Sequence, residues 1–383
     1  MYNYIPLEQA ADILDSYRKP VNSKERLNLI KGKPLDELFP YYGATGQVGW
    51  IDSFSTDGEY ILLGEDGAPF LNPYAEKAYI IYGKTWVNNH AHILRSKTNN
   101  EFLCYYLNYF NYKNYVSGTT RLKLTQAQMR KIPIPNIPSD EQSRIVASIE
   151  ELFSELDKAV DTLKTTKEQL EVYRQTILVD AFRAATNSTY LKVGCVCAKI
   201  VDCPHSTPKW EKSGKLCLRT TNFKRGYLDL QSPNYVSEET FHDRNRRIIP
   251  QPGDVLYSRE GSVLGIACTI PSNVYPCLGQ RMMLLRSGEK LNNRYLMHYL
   301  NSPMVTNHVI ATKGGTGSPH INVGDIKEFK IPIPSLEEQS NIVRQIEEQL
   351  SSCDNVEKTV DAILAQADAM RQSILKQAFE GTL

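Results

Sequence analysis

The second half of this 383-residue chain repeats the first half. Residues 338–380 align with residues 141–183 without a gap, at an offset of 197 residues, and 18 of the 43 positions are identical. Weaker matches precede this one, because KIPIP occurs at both 131–135 and 330–334, FLCYYLN at 102–108 faces YLMHYLN at 295–301, and EYILLGEDGA at 59–68 faces GDVLYSREGS at 253–262. An internal repeat constrains a fold strongly, because each copy forms the same kind of unit. We therefore predict the order globular lobe, helix, globular lobe, helix.

The most similar stretches predict two long helices. Their apolar positions alternate at spacings of four and three residues, which is the coiled-coil period and calls for a partner seam. Ser139 with Gln142, and Ser335 with Glu338, have the spacing of capping boxes at the helix starts. Forty-three residues at 1.5 Å each give a rod of about 65 Å. The predicted seam positions are Ile145, Ile149, Leu152, Leu156, Ala159, Leu163, Thr166, Leu170, Tyr173 and Ile177 in the first helix, and Ile342, Ile346, Gln349, Cys353, Val356, Val360, Ile363, Ala367, Met370 and Ile374 in the second.

We predict that the two helices pair with each other as an antiparallel coiled coil, because each is a near copy of the other. The alternative is two independent surface helices, each packed on its own lobe. The predicted fold class is mixed α/β (α+β), a pseudo-twofold tandem repeat of two lobes separated by the coiled coil. The predicted boundaries are 1–138 for the first lobe, 139–186 for the first helix, 187–334 for the second lobe and 335–383 for the second helix.

Within the lobes, short apolar runs between Gly, Pro and Asn predict strands, and longer runs predict helices. The predicted strands of the second lobe are 218–223, 253–258, 267–271 and 282–287, and the predicted lobe helices are 101–116 and 292–309. The KIPIP segments, in which alternate prolines prevent a helix, mark the exit from each lobe.

The composition predicts a soluble chain that can bury hydrophobic cores. Hydrophobic residues make up 41% of the sequence, no apolar run approaches the length of a membrane span, and the first residues lack the pattern of a signal peptide. Eight cysteines scattered along a long chain favour reduced thiols over a disulfide framework. These features predict a cytoplasmic location without a membrane partner.

The net charge of +1 hides an uneven distribution. Basic residues exceed acidic ones by two in residues 1–138 and by eight in residues 184–334, whereas acidic residues are in excess by four in 139–183 and by five in 335–383. Basic lobes beside acidic helices indicate that a polyanion such as DNA would contact the lobes.

Catalytic and cofactor motifs are missing from the sequence. Asn72-Pro73-Tyr74 lacks the second proline of an amino-methyltransferase loop and predicts a turn. The glycine-rich loop 313–318 lacks the order of a phosphate-binding loop, and its counterpart 117–121 is not glycine-rich, so we interpret both as turns. We therefore predict a non-catalytic chain.

Two groups of possible metal ligands are poor candidates. Cys195, Cys197, Cys203 and His205 do not have a usual structural zinc spacing, and the first lobe has no matching cysteines. His90 and His92 alternate on a predicted strand, and their counterparts Arg281 and Met283 bind no metal. We predict no metal site.

Basic and amide side chains are better candidates for a binding surface. Arg and Lys neutralise phosphates, while Arg can read guanine, and Asn or Gln can read adenine, in the major groove. The alternative for each of them is an ordinary solvated surface position. The candidates of the second lobe are Lys209, Lys212, Lys215, Arg219, Asn222, Lys224, Arg225, Arg244, Arg246, Arg247, Arg259, Gln280, Arg281 and Asn322. Those of the first lobe, whose charge excess is smaller, are Arg18, Lys19, Tyr42, Gln47, Asn88, Asn89, His90, Arg121 and Lys123.

Laid out as a repeat, the chain resembles the specificity (S) subunits of type I restriction–modification systems. The resemblance covers essentially the whole chain and lies in the two KIPIP segments, the E-Q-x-x-I-V helix starts at Glu141 and Glu338, and the R-Q-x-I-L-x-x-A-F helix ends at 174–182 and 371–379. Each fragment is weak alone, but two sets in the correct order are specific. The charge of the first lobe departs from the family's usual picture.

The resemblance implies two target-recognition domains, each reading one half of a bipartite, asymmetric site in double-stranded DNA. It also implies that the coiled coil spaces the two halves and docks two modification subunits. Those subunits would carry S-adenosylmethionine and the adenine-N6 methyltransferase chemistry, and two restriction subunits, where present, would use ATP and Mg²⁺. This chain would bind no cofactor itself. The alternative function from another class is a non-catalytic coiled-coil scaffold that binds protein or glycan partners instead of DNA.

Overall fold

The computed structural model describes residues 3–185, 188–312 and 319–383. The predicted turn at 313–318 lies outside the described residues. The chain divides into two compact units, each built from two separate stretches of sequence. Unit 1 contains residues 1–164 and 361–383, and unit 2 contains residues 165–360. The boundaries fall inside the long helices, so each unit holds one lobe with a segment of each helix.

Unit 1 is built around two four-stranded sheets. The first is antiparallel, with the strand order Ala11–Ile13, Ala91–Ser96, Tyr60–Gly64, Ala78–Ile81. The second has the order Gly46–Ile51, Phe39–Gly43, Lys84–Val87, Thr56–Asp57, with one parallel pair between Phe39–Gly43 and Lys84–Val87. Short pairs join Val116–Ser117 to Lys123–Leu124 and Tyr4–Pro6 to Pro133–Pro135. The lobe helices are Leu7–Ala10, Ser23–Ile30, Asn100–Tyr109 and Gln126–Met129, with 3₁₀ turns at Asp15–Tyr17 and Leu35–Glu37.

Unit 2 repeats the first of these sheets. Its antiparallel four-stranded sheet has the order Cys197–Asp202, Met282–Ser287, Val255–Ser258, Ala267–Thr269. A three-stranded sheet follows the order Tyr235–Val236, Lys215–Leu218, Cys277–Leu278, and short pairs join Phe223–Lys224 to Tyr227–Leu228 and Thr189–Lys192 to Lys330–Ile333. The lobe helices are Val193–Val196, Glu238–Arg244, Asn293–Asn301, Pro303–Thr312 and Val323–Glu328, with a 3₁₀ turn at Thr220–Asn222.

Three local predictions differ from the structure. The strand predicted over 218–223 is interrupted by the 3₁₀ turn Thr220–Asn222, because the Asn222 side chain accepts a hydrogen bond from the Arg219 amide and closes a turn there. The helix predicted over 292–309 is two helices, because Pro303 has no amide hydrogen to continue the first one. The helix predicted over 101–116 ends at Tyr109.

A repeated asparagine joins a helix to the central sheet in both units. In unit 1, the Asn108 side chain accepts from the Ala78 amide at 3.0 Å and donates to the Ala78 carbonyl at 2.7 Å. In unit 2, Asn301 makes the same two bonds to Ala267, at 3.0 and 2.8 Å. This pairing explains why the sequence Tyr-Leu-Asn occurs at the end of both helices.

The KIPIP segments close the lobes as short edge strands, a position in which proline is tolerated because no partner needs its missing amide hydrogen. Ile134 faces Ile5 in unit 1, and Ile331 faces Leu191 in unit 2. Each segment then leads into a long helix, Ser139–Ala184 or Leu336–Glu380.

A buried glutamine fixes the start of each long helix. Gln142 donates to the Ile137 carbonyl at 2.8 Å and accepts from the Thr98 hydroxyl at 2.9 Å. Gln339 accepts from the Asn292 amide at 2.8 Å and donates to the Lys290 carbonyl at 2.9 Å.

Only one of the two predicted capping boxes forms. Ser335 and Glu338 exchange backbone-to-side-chain hydrogen bonds at 3.1 and 3.3 Å. At the first helix Gln142 does not reach back to Ser139, because its side-chain oxygen accepts from Thr98 and its nitrogen donates to Ile137.

In unit 1 the two long helices run antiparallel. The start of the first helix shares a core with the end of the second, through Ile149 and Phe379. Farther along the first helix, Asp157 pairs with Arg371, which lies earlier in the second helix. A residue farther along the first helix therefore contacts a residue nearer the start of the second helix, as in an antiparallel pair.

Unit 2 contains the equivalent arrangement. Lys167 pairs with Glu357 at 3.7 Å, and Arg174, farther along, pairs with Glu357 at 2.8 Å and with Asp354. Arg174 and Asp354 are the repeat counterparts of Arg371 and Asp157, so the same ion pair forms in both units. The predicted antiparallel coiled coil and the mixed α/β class are confirmed.

The seam is less continuous than the period suggested. Ile149, Ile177, Ile346, Cys353 and Val360 are buried. Six predicted seam positions are exposed instead: Ala159, Tyr173, Gln349, Val356, Ile363 and Met370. The 3.5-residue pattern therefore overestimates how much of each helix the partner covers.

Candidate nucleic-acid interface

In unit 2 a buried arginine holds a surface loop against the sheet. Arg244 donates to the carbonyls of Leu278 at 2.6 Å, Gly279 at 2.9 Å, Ser206 at 3.1 Å and Pro204 at 3.2 Å. These bonds use four of the five N–H donors of the guanidinium. Arg244 was predicted to bind DNA, but it is buried and supports the loop instead.

The next turn presents an exposed arginine beside this loop. Gln280 accepts from the Thr207 hydroxyl at 3.2 Å and donates to the His205 carbonyl, so its amide is occupied. Arg281 has a left-handed backbone (φ 66°), its side chain is 54% exposed, and its nearest acid is Glu260 at 3.8 Å. A non-glycine residue in this conformation is costly and is often found at functional sites.

An exposed tryptophan and several cations continue the surface. The Arg219 guanidinium lies 5.4 Å from the centre of the Trp210 ring, and both residues are exposed. Lys209 and Lys212 are exposed next to Trp210 in sequence, whereas Lys215 pairs with Glu238 at 3.3 Å. The sequence prediction missed Trp210, although an aromatic residue between two lysines is a recognisable signal.

Other basic candidates of unit 2 lie in different surroundings. Lys224 and Arg225 line a cavity of about 280 Å³ together with Glu171 and Glu357 of the long helices. Arg225 also donates to the Asn301 carbonyl at 3.3 Å. These two cations therefore face acidic helix segments.

Three further candidates are exposed. Arg246 pairs with Asp243 at 2.9 Å. Arg247 is exposed, and Asn322 caps the helix Val323–Glu328.

In unit 1 the basic candidates surround two adjacent acids. Glu65 pairs with Lys123 at 3.1 Å and with Arg18. Asp66 pairs with Arg121 at 3.0 Å and with His90 at 2.6 Å. The side chains of Arg121 and Lys123 are exposed, and their ion pairs with Asp66 and Glu65 hold their cationic ends at the surface. We call these six residues the Glu65–Asp66 cluster.

Beneath this cluster lies a buried polar pair that the sequence prediction missed. His92 is fully buried, with Nδ1 at 2.7 Å from Asp15 and Nε2 at 3.0 Å from the Leu124 carbonyl. Burial acts to raise the pKa of Asp15, but the hydrogen bond and charge of His92, and bonds from Ile93 and Gln126, hold that pKa below its ordinary value. Asp15 also pairs with Arg18 at 3.1 Å and so connects the buried pair to the surface.

The remaining candidates of unit 1 lie on or near its second sheet. Lys19 is exposed with its ammonium 5.8 Å from the Trp86 ring, and Tyr42 lies with its ring 5.9 Å from that of Tyr79. Gln47 is exposed and donates to the Gly49 carbonyl at 3.1 Å, and Asn89 is exposed.

Three other predicted contacts are corrected by burial. Asn88 accepts from the His90 amide at 2.8 Å, and Asn222 donates to the Asp229 carbonyl at 3.0 Å. Arg259 forms a two-pronged pair with Asp202 at 2.8 and 3.1 Å. All three are buried, because their hydrogen-bonding groups hold their own lobe together. The exposed candidates stay predictions.

Among residues 3–185, 188–312 and 319–383, no group of three or more His, Cys, Asp or Glu side chains could hold a metal ion. Asn72 accepts from the Tyr74 amide at 3.0 Å, which is the turn predicted there. No helix within the described part of the chain is long and apolar enough to span a bilayer.

The fold and surface define a class of protein: a duplicated lobe with cationic surfaces, each lobe followed by a long helix of an antiparallel pair. The family model described as type I restriction modification DNA specificity domain matches residues 9–172 and 205–364. The chain belongs to this family.

Individual relatives agree with this family. A Haemophilus influenzae protein named as a type I restriction enzyme specificity subunit is 29% identical over 350 residues, which cover 88% of this chain and 85% of the relative. A chain from a solved type I restriction–modification system aligns with 100% of this chain and 98% of its own length, with a TM-score of 0.68 and 18% identity. The HsdS subunit of Thermoanaerobacter tengcongensis aligns over 100% and 97%, with a TM-score of 0.59 and 20% identity. At these identities the structures support the fold alone.

Proposed function

We propose that this chain is the DNA-recognition subunit of a type I restriction–modification complex, in which each lobe reads one half of a bipartite, asymmetric target. The observation that carries this function is the double match of the DNA specificity domain, once over each half of the chain. The two lobes differ in their surface side chains, so the two half-sites have different sequences.

The exposed cations supply the contacts that this role requires. In unit 2, Lys209, Lys212 and Arg219 neutralise phosphates, and Arg281 reaches base edges. In unit 1, Arg121 and Lys123 exchange their carboxylate partners for phosphates. The basic excess of residues 1–138 is two, against eight in residues 184–334, which makes the first lobe's share of the affinity smaller.

The long helices space the two half-sites and dock two modification subunits. S-adenosylmethionine and adenine-N6 methyl transfer belong to those partners, and ATP and Mg²⁺ belong to restriction subunits where these are present. This chain contributes recognition without a catalytic group, and it acts in the cytoplasm, where the DNA is.

Salt dependence of DNA binding tests this function. The complex of this chain with its modification subunit is purified as wild type and as the triple variant Lys209→Gln, Lys212→Gln, Arg219→Gln. Each lost phosphate contact lowers the slope of log affinity against log salt by about 0.9, so the variant should lose about two to three in slope. A control variant, Lys158→Gln, Lys164→Gln, Lys358→Gln, removes the same charge from exposed positions of the long helices and should keep the wild-type slope. Equal slopes for all three complexes, or no DNA binding by the wild-type complex, would contradict the proposal and favour a scaffold.

The spacing role has its own test. Seven residues inserted after both Leu163 and Val360 keep the coiled-coil phase and lengthen each helix by about 10 Å. The unread spacer of the target should then grow by about three base pairs at 3.4 Å each. An active complex with an unchanged spacer would contradict the spacing role but not DNA recognition.

A further inference from the structure

Unit 1 buries a lysine without a counter-ion. Lys77 is 2% exposed, and its ammonium donates to the carbonyls of Pro73 at 3.2 Å and Asn108 at 3.4 Å. Among the described residues, no carboxylate contributes to the pKa of this ammonium, which burial alone lowers. A buried charge is costly unless it is paired, so its presence calls for an explanation.

The backbone around Lys77 is shared by both units. Asn108 accepts from the Lys77 amide at 2.7 Å in addition to its two bonds to Ala78. The Gly64 amide donates to the Lys77 carbonyl at 3.0 Å. In unit 2 the Ser258 amide donates to the Ile266 carbonyl at 2.9 Å, one residue before the position that Asn301 holds.

Ile266 therefore occupies the position of Lys77 in unit 2. The same strand pairing and the same two asparagine bonds to the following alanine form there around an apolar side chain, while the Ile266 amide donates to the Ser258 hydroxyl at 3.0 Å instead of to the asparagine. The fold does not require an ammonium at this position, so the charge in unit 1 serves something other than the framework.

Lys77 lines a cavity of about 410 Å³, which lies in the size range of small-molecule sites. Its walls are largely aromatic and apolar, with Phe70, Leu71, Tyr109 and Phe110 around it and Lys113 as a second cation. Burial lowers the pKa of the Lys77 ammonium to about 8, which reflects a charge that the protein itself leaves uncompensated.

We propose that this cavity binds a small organic anion, whose carboxylate or phosphate head pairs with Lys77 and whose flat apolar body contacts Phe70 and Phe110. The ammonium has three donors and two carbonyl acceptors, so one donor is available to the anion. The aromatic walls favour a ring or short chain over a bare ion. This site is separate from DNA recognition and gives unit 1 a ligand that unit 2 lacks.

Titration of the full chain with three probes tests the site. Benzoate carries both the charge and the apolar body, benzyl alcohol lacks the charge, and inorganic phosphate lacks the body. Measured by calorimetry or ligand-observed NMR, benzoate should bind at least about tenfold more tightly than either of the others, since a hydrogen bond to a charged group contributes that much. Failure of benzoate to bind, or equal binding of benzyl alcohol, would overturn the proposal.

Variants place the anion at Lys77. Lys77→Met should weaken benzoate binding at least about tenfold, whereas Lys97→Met, at an exposed lysine of the same unit, should leave it unchanged. Lys77→Met should also unfold at the wild-type temperature or above, because unit 2 has an apolar residue at this position. Lys77→Gln is the second variant and should lose the same affinity. Wild-type affinity in either variant, or failure of both to fold, would contradict the proposal.

Discussion

The two units keep the same residues where the framework is held and different residues at the ends of their central strands. Asn108 and Asn301 make matching bonds to the central sheet, and Arg174 and Arg371 form matching ion pairs between the helices. At the ends of the same central strands the charge is reversed. Unit 1 has Glu65 paired with cations, and its counterpart in unit 2 is Arg259, paired with Asp202. Duplication has therefore preserved the bonds of the shared framework, while the ends of these strands carry opposite charges, the half-buried Glu65 in unit 1 and the buried Arg259 in unit 2.

A second difference lies where each lobe helix meets its long helix. In unit 2, Glu347 pairs with Arg294 at 2.7 Å and with His298 at 3.2 Å. In unit 1 the counterparts are Glu150, Glu101 and Tyr105, so an acid faces an acid. Burial raises the pKa of Glu101, and the charges of Glu150 and Glu59 raise it further. The same contact is therefore attractive in one unit and repulsive in the other.

The largest expected effect tests the shared framework. Phe379 packs against Phe102 and Tyr106 in unit 1, as Phe182 packs against Tyr295 and Tyr299 in unit 2. Phe379→Ala and Phe182→Ala should each cost about 3–5 kcal/mol of unfolding free energy, measured by denaturant titration. The exposed Tyr173→Ala should change it by less than about 0.5 kcal/mol. A large loss for one phenylalanine with none for the other would break the equivalence of the two units.

The asparagine bonds give a smaller effect that should differ between the units. Asn301→Ala leaves the buried Ala267 amide without its side-chain partner, whereas the Ala267 carbonyl keeps a bond from the Gly226 amide at 3.0 Å, so the variant should cost about 1–3 kcal/mol. Asn108→Ala should cost less, because Asn108 is only half-buried and water can replace part of the bonding. Thermal unfolding of both variants measures the order. The reverse order would show that burial does not set the difference.

The smallest effect concerns the reversed charge contact. Glu101→Gln should stabilise the protein and Glu347→Gln should destabilise it, each by less than about 1 kcal/mol at pH 7. Because the pKa of Glu101 is raised in the folded state, its charge costs stability above that pKa, and the cost disappears as the pH falls toward the ordinary value of 4.5. The gain from Glu101→Gln should therefore shrink on acidification. A gain that stays constant from pH 7 to pH 4.5 would rule out this electrostatic cause.

The repeat made the architecture predictable. The offset between copies gave both long helices and their antiparallel pairing, because a repeated seam needs a partner. The ends of individual helices and strands were harder to predict. Pro303 divides a helix although the apolar pattern continues through it, and Asn222 closes a turn inside a predicted strand.

The candidate surface was less predictable than the fold. The sequence identifies Arg244 and Arg259 as cations. Only the structure shows that Arg244 donates to backbone carbonyls and that Arg259 pairs with Asp202 inside the lobe. The Asp15–His92 pair joins residues far apart in sequence, and no local pattern marks it. Exposed cations such as Lys209 and Arg281 resemble these buried ones in the sequence alone.

Mapping methylated adenines tests the central claim most directly: two different lobes read two different half-sites. The chain is expressed with its modification subunit in cells without other adenine methylation, as wild type and as Arg281→Gln. We predict one motif with two defined halves and an unread spacer, and a variant in which only one half changes or loses a guanine preference. A single continuous motif for the wild type, or a variant that changes both halves alike, would contradict the account.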